Sequence, residues 1–334
     1  MSLHRNSTRA LLNLRRTSTA SRTAAFCTWS LILLLAGGLS GCSSNAKTEE
    51  AAGGKSAPKY KILATTLMIA DAAARIAGED VQVEWLMGPG VDPHLYQPTA
   101  KDRIKLQSAD VILYQGLHLE GKMVDTFESI AKQGRTAVAV SRDIPDSELL
   151  SWEGGLHDPH VWHDPKLWKR CVQTMLEALI AQDPESASAY RERATAYLAE
   201  LDELDAFCKQ RVAEIPPAQR WLITSHDAFH YYGRAYGFQV VGIQGISTES
   251  EAGLKAITDA VDLIKTHKIG AIFPETSVPQ AAINRVAQDS GAQLGPELYS
   301  DALGGVGSGA DTYVGMIQAN TNSVVDGLKT PSEK

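Results

Sequence analysis

The chain has 334 residues, 44% hydrophobic and 21% charged, a composition that excludes a largely disordered or fibrous protein and a length sufficient for two domains. Lys and Arg number 32 against 39 Asp and Glu, and all five charged side chains of residues 1–41 are arginines. The remainder has 27 basic and 39 acidic residues, a net charge of −12, which argues against a nucleic-acid partner.

The first segment reads as an address. Five arginines precede a short apolar run at 29–35 (WSLILLL), and small residues then lead to Cys42. The run is far shorter than the ~20 residues that span a bilayer. Residues 1–41 are therefore expected to be a signal peptide and 42–59 (through SSNAKTEEAAGGKSAPK) a flexible tether, with the folded body starting near Tyr60.

In the body, β-rich apolar runs at 61–66, 81–87, 110–115 and 136–141 alternate with helical patterns at 68–78, 99–109 and 121–133. A second set repeats the plan, with strands at 220–225, 238–244, 270–274 and 292–299 and helices at 228–236, 249–267, 279–290 and 312–328. Short strands alternating with helices indicate parallel sheets covered on both faces. The fold class is thus α/β, with two similar lobes at 60–184 and 216–334. Between them, 166–215 is helical in pattern with one break at Asp183-Pro184. Its second piece, 185–215, is ~45 Å long as one helix and is expected to join the lobes stiffly. Pro216-Pro217 ends it.

Four cysteines suggest two disulfides, but Cys27 falls in the signal and Cys42 at its end. Cys171 lies 13 residues before Pro184 and Cys208 lies 24 after it. On paired antiparallel helices they stand ~16 Å out of step, beyond disulfide reach, so they are expected to be separate core thiols.

The candidate chemistry lies just past strand ends. His94 (GPGVDPHLYQP), His160 (HDPHVWHDP), His226 (LITSHDAF) and Asp301 (ELYSDALG) each follow a predicted strand, two in each lobe. One histidine at such a place is ordinary loop polarity, and one Asp an ordinary turn residue. Together they point to one cleft, because open α/β sheets bind ligands outside the carboxyl ends of their strands. Imidazole and carboxylate suit divalent transition ions, and three His with one Asp fill a tetrahedron, which argues for carrying metal rather than for catalysis. Asp92, Asp158 and Asp164 are candidates to fix imidazole tautomers, and Tyr96 and Trp162 to wall the site. His118, His157 and His267 read as surface or satisfied polar residues, and His163 as surface or outer support. His226 and His230 have the i, i+4 spacing of a zinc chelate, but Asp227 replaces the glutamate that activates water in HExxH proteases. No GxSxG, Walker or GxGxxG motif is present.

GVDPHLYQPT, LYQGLHLEGKM, DPHVWHDPKLW, TSHDAFHYYGRAYGF, GISTESEAG, PETSVPQ, ELYSDALG and TYVGM, in this order, resemble the TroA-like solute-binding lipoproteins of zinc/manganese ABC importers. The resemblance runs from Tyr60 to the C-terminus. It implies two α/β lobes on one rigid helix and a metal held between them by His94, His160, His226 and Asp301, with His163 and His230 not ligands. It implies capture of Zn²⁺ or Mn²⁺, with Fe²⁺ open, for delivery to an ABC permease. LSGC at 39–42 resembles a lipobox, implying cleavage before Cys42 and a lipid anchor there, outside the inner membrane. Some manganese receptors of the family have Glu where this chain has His226, and the His-rich loop of the zinc-dedicated branch is missing. A monomer is expected. The alternatives are a secreted zinc hydrolase using His226 and His230, or a surface adhesin with structural metal.

Overall fold

The computed structural model describes residues 57–329, so the expected signal peptide, Cys42 and most of the tether lie outside the described residues. The first sheet contains β1 (Lys61–Ala64), β2 (Gln82–Trp85), β3 (Val111–Tyr114) and β4 (Thr136–Ala139), all parallel in the order β2-β1-β3-β4. Helices α1 (Leu67–Ala77), α2 (Ala100–Ser108) and α3 (Val124–Lys132) make the crossovers. Thr99 starts α2 with a reciprocal cap, its hydroxyl accepting from the Asp102 amide while Asp102 accepts from the Thr99 amide.

The second half repeats the order. β5 (Trp221–His226) pairs in parallel with β6 (Gln239–Gln244), and β7 (Ala271–Ile272) with β8 (Gln293–Leu294). A parallel bridge between Thr224 and Phe273, and the Phe273 amide donating to the Ile223 carbonyl at 2.8 Å, join the two pairs as β6-β5-β7-β8. The crossovers are α6 (His230–Tyr236), α7 (Leu254–His267) and α8 (Ala281–Ser290), and α9 (Tyr313–Lys329) closes the chain.

Several expected elements are shorter. The run 292–299 pairs as a strand only over Gln293–Leu294, with one further bridge from Leu298 to Glu275. The helix expected from 249 starts at Leu254, because 245–253 is spent on a loop. The helix expected from 228 starts at His230, which leaves His226 as the last residue of β5. Gly242 lets β6 pass this turn: a Cβ there would stand 2.5 Å from the Asp227 amide nitrogen.

Helices α4 (Pro165–Gln182) and α5 (Ala187–Val212) form the expected pair around Asp183-Pro184. The N-terminal part of α5 lies on α1, where Arg193 donates to the Ile76 and Ala77 carbonyls at 2.7 Å. Its C-terminal part lies on α9, where Arg211 donates to Asn322 and Asp326. One apolar cluster runs through both halves, from Ile62 and Ile76 through Trp168 and Leu201 to Tyr232, Phe273 and Met316. A shared core and a single crossing helix both oppose large relative motion of the halves. Cys171 and Cys208 are buried free thiols, and Cys208 Sγ lies 3.3 Å from Thr321 Oγ1. Among the described residues, no helix is long and apolar enough to cross a membrane.

Candidate metal centre

The segments that follow the carboxyl ends of the strands aim four side chains at one point. His94 lies in the loop after β2, and His160 in the long loop between β4 and α4. His226 ends β5, and Asp301 follows β8. Ligand-type atoms of all four lie within 4.8 Å of one another, and every one of these residues is buried.

His94 Nε2 and His160 Nε2 are 3.3 Å apart. The Asp301 carboxylate divides between the other two, with Oδ1 3.4 Å from His160 Nε2 and Oδ2 3.2 Å from His226 Nε2. A tetrahedral ion with bonds of about 2.0–2.1 Å spaces its ligand atoms about 3.3–3.4 Å apart. His226 Nε2 and Asp301 Oδ1 are buried and have no hydrogen-bond partner of good geometry. Unpartnered polar atoms this deep are costly unless something between them satisfies them. A divalent cation at the centre fits that donor set.

Outer carboxylates orient two of the imidazoles. Asp158 Oδ1 accepts from the His160 amide at 2.9 Å and lies 2.7 Å from its Nδ1. Glu275 grips His226 in the same way, with Oε1 accepting from its amide at 2.8 Å and Oε2 bonded to its Nδ1. Holding Nδ1 against a carboxylate fixes the ring so that Nε2 is the nitrogen that faces inward and can bind an ion once it gives up its proton. Of the three expected supports, Asp158 acts on a ring. Asp92 binds the His94 amide at 2.8 Å instead, and Asp164 caps α4 through the Lys166 amide. Glu275 was not legible in the sequence.

Charge follows this geometry. Burial lowers the His94 pKa to about 3, with the neighbouring imidazoles adding to the effect. Burial also pushes His160 down, but the Asp158 and Asp301 carboxylates outweigh it and raise His160 to about 9. Glu275 and Asp301 likewise overcome burial to hold His226 well above its ordinary value. Burial would raise Asp301, yet the two imidazoles beside it hold it well below the carboxylate range.

Trp162 walls the site as expected, its ring 5.2 Å from that of His160. Tyr96 does not, because its hydroxyl turns away to Asp102 and the Leu86 carbonyl. His230 bonds to Asp227 at 2.8 Å and shares no helix with His226, so the i, i+4 chelate does not form. His163 is fully buried rather than at the surface, its ring tilted against that of Phe229 with centroids 4.3 Å apart. His118 is exposed and His267 stacks on Trp221.

Residues 62–327 match the family described as "Zinc-uptake complex component A periplasmic". The chain is 43% identical over 297 residues to the manganese-binding lipoprotein MntA of Bacillus subtilis (strain 168), which covers 87% of this chain and 95% of that protein. It is 44% identical over 275 residues to the zinc-binding protein TroA of Treponema pallidum (strain Nichols), covering 81% of this chain and 89% of TroA. It is 34% identical over 272 residues to the iron-binding protein YfeA of Yersinia pestis, covering 81% and 87%. The solved structure of periplasmic zinc-binding protein TroA from Treponema pallidum matches this fold with a TM-score of 0.79 at 43% identity, covering 81% of this chain and 100% of that one.

Proposed function

We propose that this chain, which belongs to the zinc-uptake complex component A family over residues 62–327, is an extracytoplasmic receptor that captures a divalent transition ion between its two halves and delivers it to an ABC permease. His94, His160, His226 and Asp301 hold the ion. The observation that carries this reading is the convergence of four buried donors, two from each half, on one point within 4.8 Å. The donor set supports Zn²⁺ over Mn²⁺ in raw affinity, following the Irving–Williams order. Mn²⁺ and Fe²⁺ remain alternative cargoes where they are more available, as the names of the relatives suggest. Cys42 carries a lipid anchor, and the receptor works as a monomer outside the inner membrane, in the periplasm or at the cell surface. Its halves correspond to 60–184 and 216–334, joined by 185–215.

The reading is not enzymatic. Four protein donors leave no open position for a reacting water, and His230 is engaged with Asp227. Metal analysis by mass spectrometry on the full chain, purified without chelator, is expected to find about one Zn²⁺ or Mn²⁺ per chain. His94→Ala is expected to lose it and His230→Ala to keep it. A chain without metal that also fails to bind either ion on titration sinks the reading, and equal dependence on His230 would revive a hydrolase.

Metal binding must displace protons. His160 and His226 are held above the ordinary histidine value, so an incoming ion competes with protons at these rings. His94 is held down and contributes none. Zn²⁺ affinity is therefore expected to fall as pH falls and to keep rising above pH 7, with protons released as the ion binds. Calorimetry in two buffers of different ionisation enthalpy measures the release. Zero release at pH 7 contradicts the assignment.

A further inference from the structure

His94 is supported differently from its partners. Among the described residues no carboxylate hydrogen-bonds its ring, which lies with Nε2 3.3 Å from His160 Nε2. Its position is set through the backbone, by Asp92 Oδ1 accepting from the His94 amide at 2.8 Å. The other oxygen of the same carboxylate faces the opposite half. Asp92 Oδ2 accepts from Thr248 Oγ1 at 2.6 Å, across 156 residues of sequence. Asp158 and Glu275, by contrast, back ligands of their own half.

Thr248 is itself fixed. It is only 6% exposed. Gln244 Nε2 donates to the Thr248 carbonyl at 2.9 Å and to the Ser250 carbonyl at 2.7 Å. Gln244 is the residue that pairs with His226 in the β5–β6 register. A short path therefore runs from His226 through Gln244, Thr248 and Asp92 to His94, linking a donor of one half to a donor of the other. Beside it the exposed pair Lys122–Glu249 is 3.9 Å apart and adds little.

We infer that Thr248 is a positioning residue for metal retention: its hydroxyl, bound to Asp92 across the cleft, holds the His94 loop against the other three donors, and breaking that bond is the first step of release. This rests on the receptor reading above. The His94 loop is the one donor segment tied across the cleft through its own backing carboxylate. A permease that separates Thr248 from Asp92 withdraws His94 without disturbing the grips of Asp158 and Glu275.

The test is Zn²⁺ release from the loaded full chain into excess colorimetric chelator, followed by stopped flow. Thr248→Val keeps the shape and removes the hydroxyl. It is expected to release Zn²⁺ about tenfold faster, the size of one hydrogen bond to a charged acceptor. Thr248→Ser restores the hydroxyl and is expected to match the parent rate. In an Asp92→Ala background Thr248→Val is expected to add nothing, because its partner is gone. The metal-free melting temperature shows whether the valine variant is folded, and if it falls, the cycle with Asp92→Ala decides. Parent-like release by Thr248→Val, or an equal acceleration with and without Asp92, overturns the latch while leaving the receptor reading intact. A parent chain that takes up no Zn²⁺ fails the receptor reading itself, and the latch with it.

Discussion

Replacing His226 with alanine is expected to weaken Zn²⁺ binding by more than 100-fold and to destabilise the metal-free protein as well. Loss of an outer partner of a metal ligand costs about 10–100-fold, so loss of the ligand exceeds that. The second effect comes from what His226 does before metal arrives. Its ring stands between Glu275 and Asp301, both about 1% exposed, and the two carboxylates hold its pKa well above the ordinary value. Alanine leaves the buried Glu275 and Asp301 carboxyl groups without the imidazole between them. Removing one partner of a buried ion pair costs about 3–5 kcal/mol. The sign with pH follows from the raised value. The contribution of His226 to the stability of the metal-free protein is full below its unfolded pKa of about 6.5 and is lost as pH rises through the folded one. The stability gap between parent and variant should therefore narrow in alkali. Competitive Zn²⁺ titration and urea unfolding of the metal-free protein at two pH values measure both effects. Zinc affinity within tenfold of the parent would remove His226 from the proposed donor set.

The convergence of these four side chains could be read from the sequence because parallel sheets impose a direction. Each apolar run ends at a carboxyl end, and all such ends in a lobe lie on one side. His94, His160, His226 and Asp301 needed only that rule. Glu275 did not yield to it. It lies 49 residues from His226 and follows Phe273-Pro274, which looks like the close of a short strand. What brings it to His226 is the β5–β7 junction, where Phe273 bonds to Ile223, and no local pattern announces which strands are neighbours. Tyr96 failed for a related reason. Its spacing from His94 suggests a wall, but the Thr99–Asp102 cap offers its hydroxyl a nearer acceptor. The start of α7 was misplaced because 249–253 is compatible with helix by composition. Hydrogen bonds from the Gln244 side chain to the Thr248 and Ser250 carbonyls hold the segment as a loop. Burial of His163 was equally invisible, since polar composition gives no sign of the Phe229 ring that covers it.

Trp162→Ala is expected to cost about 3–5 kcal/mol of stability and, separately, metal affinity. The indole is fully buried and joins the loop of His160 to that of Asp301. Its Nε1 donates to the Ser300 carbonyl at 2.8 Å, one residue before Asp301, and its own carbonyl accepts from Tyr313 at 2.8 Å. Its ring meets His160 edge-on at 5.2 Å. Alanine removes the filler between two donors contributed by different halves and strands the Ser300 carbonyl. Phenylalanine keeps most of the volume and loses the N–H, so its cost should be nearer the 1–3 kcal/mol of one unsatisfied buried acceptor. Urea unfolding of the metal-free variants ranks the stabilities, and Zn²⁺ titration ranks the affinities. If Trp162 positions donors, Trp162→Phe should lose affinity as well as stability, because Asp301 is freed from the His160 loop. If alanine lowers stability while Zn²⁺ affinity stays at the parent value, the ring is packing alone, and the two donor loops are held in register by α5 and the shared core instead.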